Sequence, residues 1–218
     1  MTSLLHPNII NCMGFLTKPT EYWIVMEYAN LGNLQSLIST YGKLEEQTLV
    51  VYLRQILKGI DYLHKNKVIH RDLKPSNILL TNEVEVKLSD FGCSFQMEGS
   101  QTKEDLVISF KGSIPYMAPE LLVETHLSRK GDIWSIGCTV LEMATGVPPW
   151  SDRKFDNCFH AVYQIGTQKI TPTVPEDLSS DLKDFLSKCL LSDPKDRASA
   201  EDLLSHKLIT KYDKLSVD

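Results

Sequence analysis

The sequence predicts an α+β fold whose strands gather near the N-terminus and whose helices dominate the rest. Three observations point there. Two short β-prone runs, residues 9–17 and 22–28, flank Lys18-Pro19-Thr20, the signature of a hairpin. Residues 45–65 carry Leu49, Tyr52, Leu53, Ile56, Ile60 and Leu63 at helical spacing. From Arg129 onward the pattern stays helical, beginning with an apolar stretch over about 131–145. At 218 residues the chain is long enough for one domain with a sizeable core.

In chain order, Tyr22-Trp23-Ile24-Val25-Met26 is apolar nearly throughout, as in a strand covered on both faces. Asn30-Leu31-Gly32-Asn33 breaks the chain before a short helix over 34–39. The helix over 45–65 opens on Glu45-Glu46, where the helix dipole favours acids. Ile78-Leu79-Leu80 and residues 84–88 are two short strands framing Asp90-Phe91-Gly92. Residues 93–113 are polar, aperiodic and too long for an ordinary connection, which points to a functional or mobile loop. The helix over 131–145 is stopped by Gly146-Val147-Pro148-Pro149, and further helices lie near 155–165, 179–190 and 199–205. There are no internal repeats and no low-complexity tracts.

Composition narrows the function classes. With 42% hydrophobic and 23% charged residues, this is an ordinary soluble globular chain. A net charge of −5 argues against nucleic acid or an anionic membrane as partner, yet leaves room for a small anionic ligand in a local pocket of cations. No apolar run approaches the roughly 20 residues of a membrane span, and no signal-peptide pattern opens the chain. The cysteines (Cys12, Cys93, Cys138, Cys158, Cys189) are scattered and odd in number, without Cys-x-x-Cys pairing. They read as reduced thiols of a cytoplasmic or nuclear protein, not as a disulfide framework or a zinc site. The six histidines show no metal-ligand spacing.

The chemistry concentrates in His70-Arg71-Asp72-Leu73-Lys74-Pro75-Ser76-Asn77 and in Asp90-Phe91-Gly92. The first run places a carboxylate (Asp72), an ammonium (Lys74) and a carboxamide (Asn77) on one loop, and the second adds the carboxylate of Asp90 on a turn. Phosphoryl transfer needs this set: a carboxylate to orient a hydroxyl, a cation for the moving phosphate, and oxygen ligands for magnesium.

These two motifs resemble the catalytic loop and metal-binding turn of the eukaryotic protein kinases. The resemblance begins at His6-Pro7-Asn8-Ile9-Ile10 and runs to about Ile209, nearly the whole chain. It implies a protein-kinase fold, with ATP and Mg²⁺ as cofactors. Asp72 would accept or orient the substrate proton, and Lys74, in the serine/threonine-kinase position, would neutralise the γ-phosphate. Asn77 and Asp90 would hold magnesium. Met26-Glu27-Tyr28-Ala29 resembles the hinge: backbone groups of Glu27 and Ala29 would hold the adenine edge, with Met26 as gatekeeper and Leu79 as the apolar floor. His70 and Phe91 belong to the apolar stack that aligns the lobes. Asp132, which looks catalytic in isolation, would hydrogen-bond the catalytic-loop backbone.

Gly112-Ser113-Ile114-Pro115-Tyr116-Met117-Ala118-Pro119-Glu120 resembles the end of the activation segment, where the peptide docks. Ser113 stands where most relatives have Thr and keeps the hydroxyl that bridges to Asp72 and Lys74. Glu120 would pair with Arg197. Arg71 would receive a phosphate from the activation loop, and Ser109, three residues before Gly112, is the favoured phosphosite among Ser94, Ser100, Thr102 and Ser109. Phe95 occupies the place of a second, basic phosphate ligand, which weakens that switch. Cys93 reads as a small buried thiol or, alternatively, as an oxidation site near the nucleotide.

Tyr41-Gly42-Lys43-Leu44-Glu45, Asp90-Phe91-Gly92-Cys93-Ser94 and Met143-Ala144-Thr145-Gly146-Val147-Pro148-Pro149-Trp150 are most similar to kinases that phosphorylate MAP kinase kinases. The implied partners are ATP and a protein substrate, with a MAP kinase kinase as one candidate, and neither nucleic acid nor membrane. No glycine-rich phosphate loop and no Val-Ala-Ile-Lys-like strand occurs in the sequence. The resemblance therefore divides the chain into 1–28, a two-strand remnant of the small lobe, and 29–218, the large lobe, of an N-terminally truncated kinase. Two readings of that gap stand side by side. One is a piece of an active serine/threonine kinase, favoured by the intact Asp72, Lys74, Asn77 and Asp90. The other is a non-catalytic kinase-like binding or scaffold module.

Overall fold

In a computed structural model of the protein, residues 4–18, 20–81, 84–96, 114–123 and 128–213 are described. The expected hairpin forms from β1 (Cys12–Lys18) and β2 (Glu21–Met26), antiparallel, with Phe15 opposite Ile24 and Leu16 opposite Trp23. Its first strand starts later than the β-prone run because Ile9 and Ile10 are committed elsewhere. Leu88 donates to the Asn8 carbonyl and Ile10 to the Leu88 carbonyl, each at 2.9 Å, so this segment joins the helical body. The expectation that β2 is covered on both faces is not met. All six of its residues are exposed, because among the described residues β1 is its only strand neighbour.

Beyond the hairpin, α1 (Leu34–Tyr41) is capped by Asn33, whose Oδ1 accepts from the Ser36 N–H at 2.9 Å. The long helix α2 (Glu46–Lys65) buries Leu49, Leu53, Ile56, Ile60 and Leu63, the stripe that its spacing predicts. Gly59 lets it approach the neighbouring strand: a Cβ there would meet a Leu88 methyl at 2.8 Å. Four short strands follow. β3 (Val68–Ile69) pairs with β6 (Phe95–Gln96), and β4 (Ile78–Leu80) with β5 (Val86–Leu88), both antiparallel. Strand β5 is shorter than the expected 84–88.

The C-terminal part comprises α3 (Pro119–Val123), α4 (Arg129–Thr145), α5 (Cys158–Val162), α6 (Ser180–Cys189), α7 (Ala200–Leu204) and α8 (Lys207–Asp213). α4 is the axis of the core, buried without interruption from Gly131 to Ala144. Gly137 permits this, since a Cβ would lie 2.8 Å from Cys189 Cβ and from a Leu190 methyl. The helix expected near 155–165 is α5 followed by a π-helical turn, Tyr163–Thr167, while α3 and α8 were not anticipated. Cys12, Cys138, Cys158 and Cys189 are free thiols, and burial pushes the Cys138 and Cys189 thiols up, well away from the thiolate. No helix among the described residues is long and apolar enough to cross a membrane.

Candidate active site

The loop after β3 is fixed from beneath by α4. Asp132, 1% exposed, accepts from the His70 N–H at 3.0 Å and the Arg71 N–H at 2.9 Å, and lies 2.8 Å from His64 Nε2. Arg71 has φ 72, a left-handed conformation that costs a non-glycine residue energy and persists only where its surroundings enforce it. Burial pushes the Asp132 carboxyl up, but the His64 hydrogen bond, the His64 and His70 charges and the Arg71 N–H outweigh it and hold the carboxyl below its ordinary value. Asp132 thus holds the loop backbone, as the resemblance implies.

On that frame the predicted residues converge. Lys74 Nζ lies 2.8 and 3.1 Å from the two Asp72 carboxylate oxygens. A 3-10 turn, Pro75–Asn77, folds Asn77 back so that its Nδ2 donates to Asp72 Oδ2 at 2.9 Å and to the Asp72 carbonyl at 2.7 Å. Ser89 links this loop to the next: its N–H and Oγ both donate to the Asn77 carbonyl, at 2.9 and 3.0 Å. Its own carbonyl lies 3.0 Å from His70 Nε2. Burial keeps the His70 pKa below its ordinary value, and its ring lies 5.1 Å from that of Phe91.

Asp90 follows Ser89 in a left-handed conformation (φ 60, ψ 68) and is exposed, with Oδ1 accepting from the Gly92 N–H at 3.3 Å. The donor set suits a hard divalent cation. Asn77 spends its Nδ2 hydrogens on Asp72, which leaves Oδ1 as the amide's oxygen donor, and Asp90 presents a carboxylate to solvent.

Above Asp90 a cavity of about 370 Å³ is lined by Met26, Leu79, Asp90 and Phe91, together with Ile10 and Cys12. Met26 and Leu79 therefore share one apolar space with the candidate metal ligand. Glu27 and Ala29 do not line it. The Glu27 N–H is taken by the Asn11 carbonyl at 3.0 Å, and its carboxylate accepts from the Asn11 N–H at 2.7 Å and pairs with Lys87 at 3.2 Å. Ser109 and Ser113 lie outside the described residues. Arg197 and Glu120 form a bidentate pair, Nη1–Oε1 2.7 Å and Nη2–Oε2 3.0 Å, both side chains buried.

Sequence reasoning missed Ser89, whose backbone and hydroxyl tie Asn77 to Asp90. It also missed Gln35, Tyr116 and Glu142, which meet away from the loop. A serine before an aspartate carries no local signal, and Gln35 and Glu142 are 107 residues apart.

The model of the protein kinase domain family matches residues 1–209. The chain is 42% identical over 210 residues to mitogen-activated protein kinase kinase kinase 3 of Arabidopsis thaliana, covering 96% of this chain and 32% of that protein. It is 40% identical over 215 residues to mitogen-activated protein kinase kinase kinase A of Dictyostelium discoideum, covering 98% and 22%. With mitogen-activated protein kinase kinase kinase 1 of Homo sapiens it shares 34% over 208 residues, covering 94% and 14%. The chain thus spans a third or less of the length of these relatives.

Proposed function

The chain belongs to the protein kinase family, and on that premise we propose that it transfers the γ-phosphate of ATP to a serine or threonine of a protein. One observation carries the reading: Asp72 is held between Lys74 Nζ and Asn77 Nδ2, with Asp90 tied to the same loop through Ser89. Asp72 accepts the proton of the substrate hydroxyl as that oxygen attacks, a role that usually contributes about 10²–10⁴-fold. Lys74, already against Asp72, sets its charge where the γ-phosphate oxygens gather negative charge. Asn77 Oδ1 and the Asp90 carboxylate would hold Mg²⁺, which supplies charge neutralisation to the phosphates. The adenine lies over Leu79 with Met26 behind it as gatekeeper, its edge held by backbone groups of Glu27 and Ala29.

The remaining assignments belong to the same proposal. Residues 1–28 act as part of the small lobe and 29–218 as the large lobe. The peptide docks at 112–120, where the Ser113 hydroxyl joins Asp72 and Lys74. A phosphate on Ser109 meets Arg71. The names of the relatives suggest a MAP kinase kinase as substrate and a place in a MAP kinase cascade, and the scattered cysteines, read as reduced thiols, suit the cytoplasm.

The sequence holds no Gly-x-Gly-x-x-Gly run to cover the phosphates, so the test joins residues 1–218 behind a family member's glycine-rich loop, strand lysine and regulatory helix. Purified with Mg·ATP and a MAP kinase kinase, this chimera is expected to phosphorylate serine or threonine within the family range of about 1–100 s⁻¹. No transfer to any serine or threonine of a protein substrate would overturn the proposal.

A further inference from the structure

Asp90, the candidate metal ligand, holds a left-handed conformation, φ 60 and ψ 68. For a residue other than glycine this pose costs energy and persists only where the surroundings impose it. The carboxylate does little to hold it, because the bond that Oδ1 accepts from the Gly92 N–H is long, at 3.3 Å. The constraint comes from the residues on either side, and two serines supply it.

Upstream, Ile78 pairs with Leu88 in the β4–β5 ladder. Ser89 continues that ladder by one rung, donating its N–H to the Asn77 carbonyl at 2.9 Å. Its Oγ then donates to the same carbonyl oxygen at 3.0 Å. The Ser89 carbonyl lies 3.0 Å from His70 Nε2, so the N–H, the C=O and the hydroxyl of this buried residue are all engaged. The end of a ladder is where pairing opens first, and here the hydroxyl closes it.

Downstream, the 3-10 turn Phe91–Cys93 ends at Ser94. Ser94 repeats the arrangement: its N–H and its Oγ both donate to the Phe91 carbonyl, at 3.1 and 2.8 Å. Asp90-Phe91-Gly92 is therefore flanked by two carbonyl oxygens, each gripped by the backbone and the hydroxyl of one serine. The backbone donors belong to the fold, and nearly any residue offers them. The hydroxyls belong to these two side chains.

We infer that the hydroxyls of Ser89 and Ser94 are positioning groups that hold Asp90 in its left-handed pose, in register with Asn77, so that the two residues serve one divalent cation. The role deepens the phosphotransfer reading and rests on it, since that reading makes Asn77 and Asp90 the metal ligands. Each serine acts through the backbone on a residue that would meet the cation. Ser89 acts on both ligands, on Asn77 through its carbonyl and on Asp90 through the peptide they share. Ser94 acts on the turn alone, so its loss should matter less.

Mn²⁺, a paramagnetic stand-in for Mg²⁺, reads this role without recourse to activity. Its binding to the chimera, beside a non-hydrolysable ATP analogue, is followed by electron paramagnetic resonance. Ser89→Ala is expected to raise the Mn²⁺ Kd by roughly fivefold and Ser94→Ala by roughly threefold, the scale of one hydrogen bond each, and the double variant by about tenfold or more. Ser94→Thr keeps a hydroxyl and should keep the parent Kd; a value like that of Ser94→Ala would deny the hydroxyl its part. Adenosine, which carries no phosphate and needs no metal, separates positioning from loosened folding: its Kd should stay near that of the parent. In the 218-residue chain, both alanine variants are expected to speed hydrogen exchange at the Gly92 and Ser94 amides, and unchanged exchange in both would overturn the inference. A parent-like Mn²⁺ Kd in the double variant, or an adenosine Kd that rises in step with it, would also overturn the inference while leaving the phosphotransfer reading intact. Should the parent chimera bind no Mn²⁺, the phosphotransfer reading falls and the positioning role falls with it.

Discussion

Strand β2 and helix α4 have similar sequences in one respect and opposite fates. Tyr22-Trp23-Ile24-Val25-Met26 and Ile133-Trp134-Ser135-Ile136-Gly137-Cys138 are both dense in large apolar residues around a tryptophan. Trp23 is 50% exposed and Trp134 is fully buried. The difference is in what surrounds them. α4 is enclosed by α2, α6 and the Arg197–Glu120 pair, with Arg197 stacked 5.2 Å over the Trp134 ring. Among the described residues β2 has β1 alone as a strand partner, and a lone hairpin is marginal in water. Apolar density states that a segment needs cover; the rest of the chain determines whether it gets it.

The largest expected effect lies on the enclosed side. Glu120→Ala leaves Arg197, 1% exposed, as an unpaired buried charge, and removing one partner of such a pair typically costs about 3–5 kcal/mol. Chemical denaturation of the 218-residue chain measures this; a loss below about 1 kcal/mol would mean that water reaches the pair and that α4 is less enclosed than described.

The next effect is pH-dependent and also confined to the enclosed side. His70 is fully buried and its folded pKa is lowered, chiefly by burial, so the unfolded chain binds the proton more readily. Its contribution to stability is then complete above about pH 6.5 and erodes as pH falls through the range between the unfolded and folded values. The slope contributed by one such histidine is at most about 1.4 kcal/mol per pH unit. His6, lowered by burial and by Lys58 and Lys87, adds a slope of the same sign. Unfolding free energies measured from pH 7 to pH 5 should therefore fall, and His70→Phe should flatten the fall. Equal slopes in the parent and the variant would contradict this.

The smallest expected effect is on the hairpin. Ile24→Thr, at a position 58% exposed, should change stability by no more than about 0.5 kcal/mol. It should nonetheless reduce self-association, because an exposed apolar strand edge invites pairing between molecules. Light scattering on the 218-residue chain tests both halves of the contrast. Sharply monomeric behaviour at high concentration, with slow hydrogen exchange across 22–28, would show the hairpin to be covered after all.

Much of this contrast could be read in the sequence, and the unread part has a common cause. α2 and α4 were legible because their apolar residues recur over many turns. β3 and β6 hold two residues each, too few to show a period, and α8 is only seven residues long. Within the site, Asp72, Lys74 and Asn77 were legible because one loop carries all three. Their support was less so. Ser89 and Glu142 act through partners 12 and 107 residues away, and such pairings leave no mark on local sequence.

The most direct test of the central claim is the kcat of Asp72→Asn in the chimera, measured beside its affinity for Mg·ATP. Asp72 has Lys74 and Asn77 as partners, and an asparagine keeps the volume of the aspartate while removing the proton acceptor. The expected result is a fall in kcat of about 10²–10⁴-fold with the Mg·ATP Kd nearly unchanged. Near-full kcat in Asp72→Asn would contradict the assignment of Asp72 as the catalytic carboxylate.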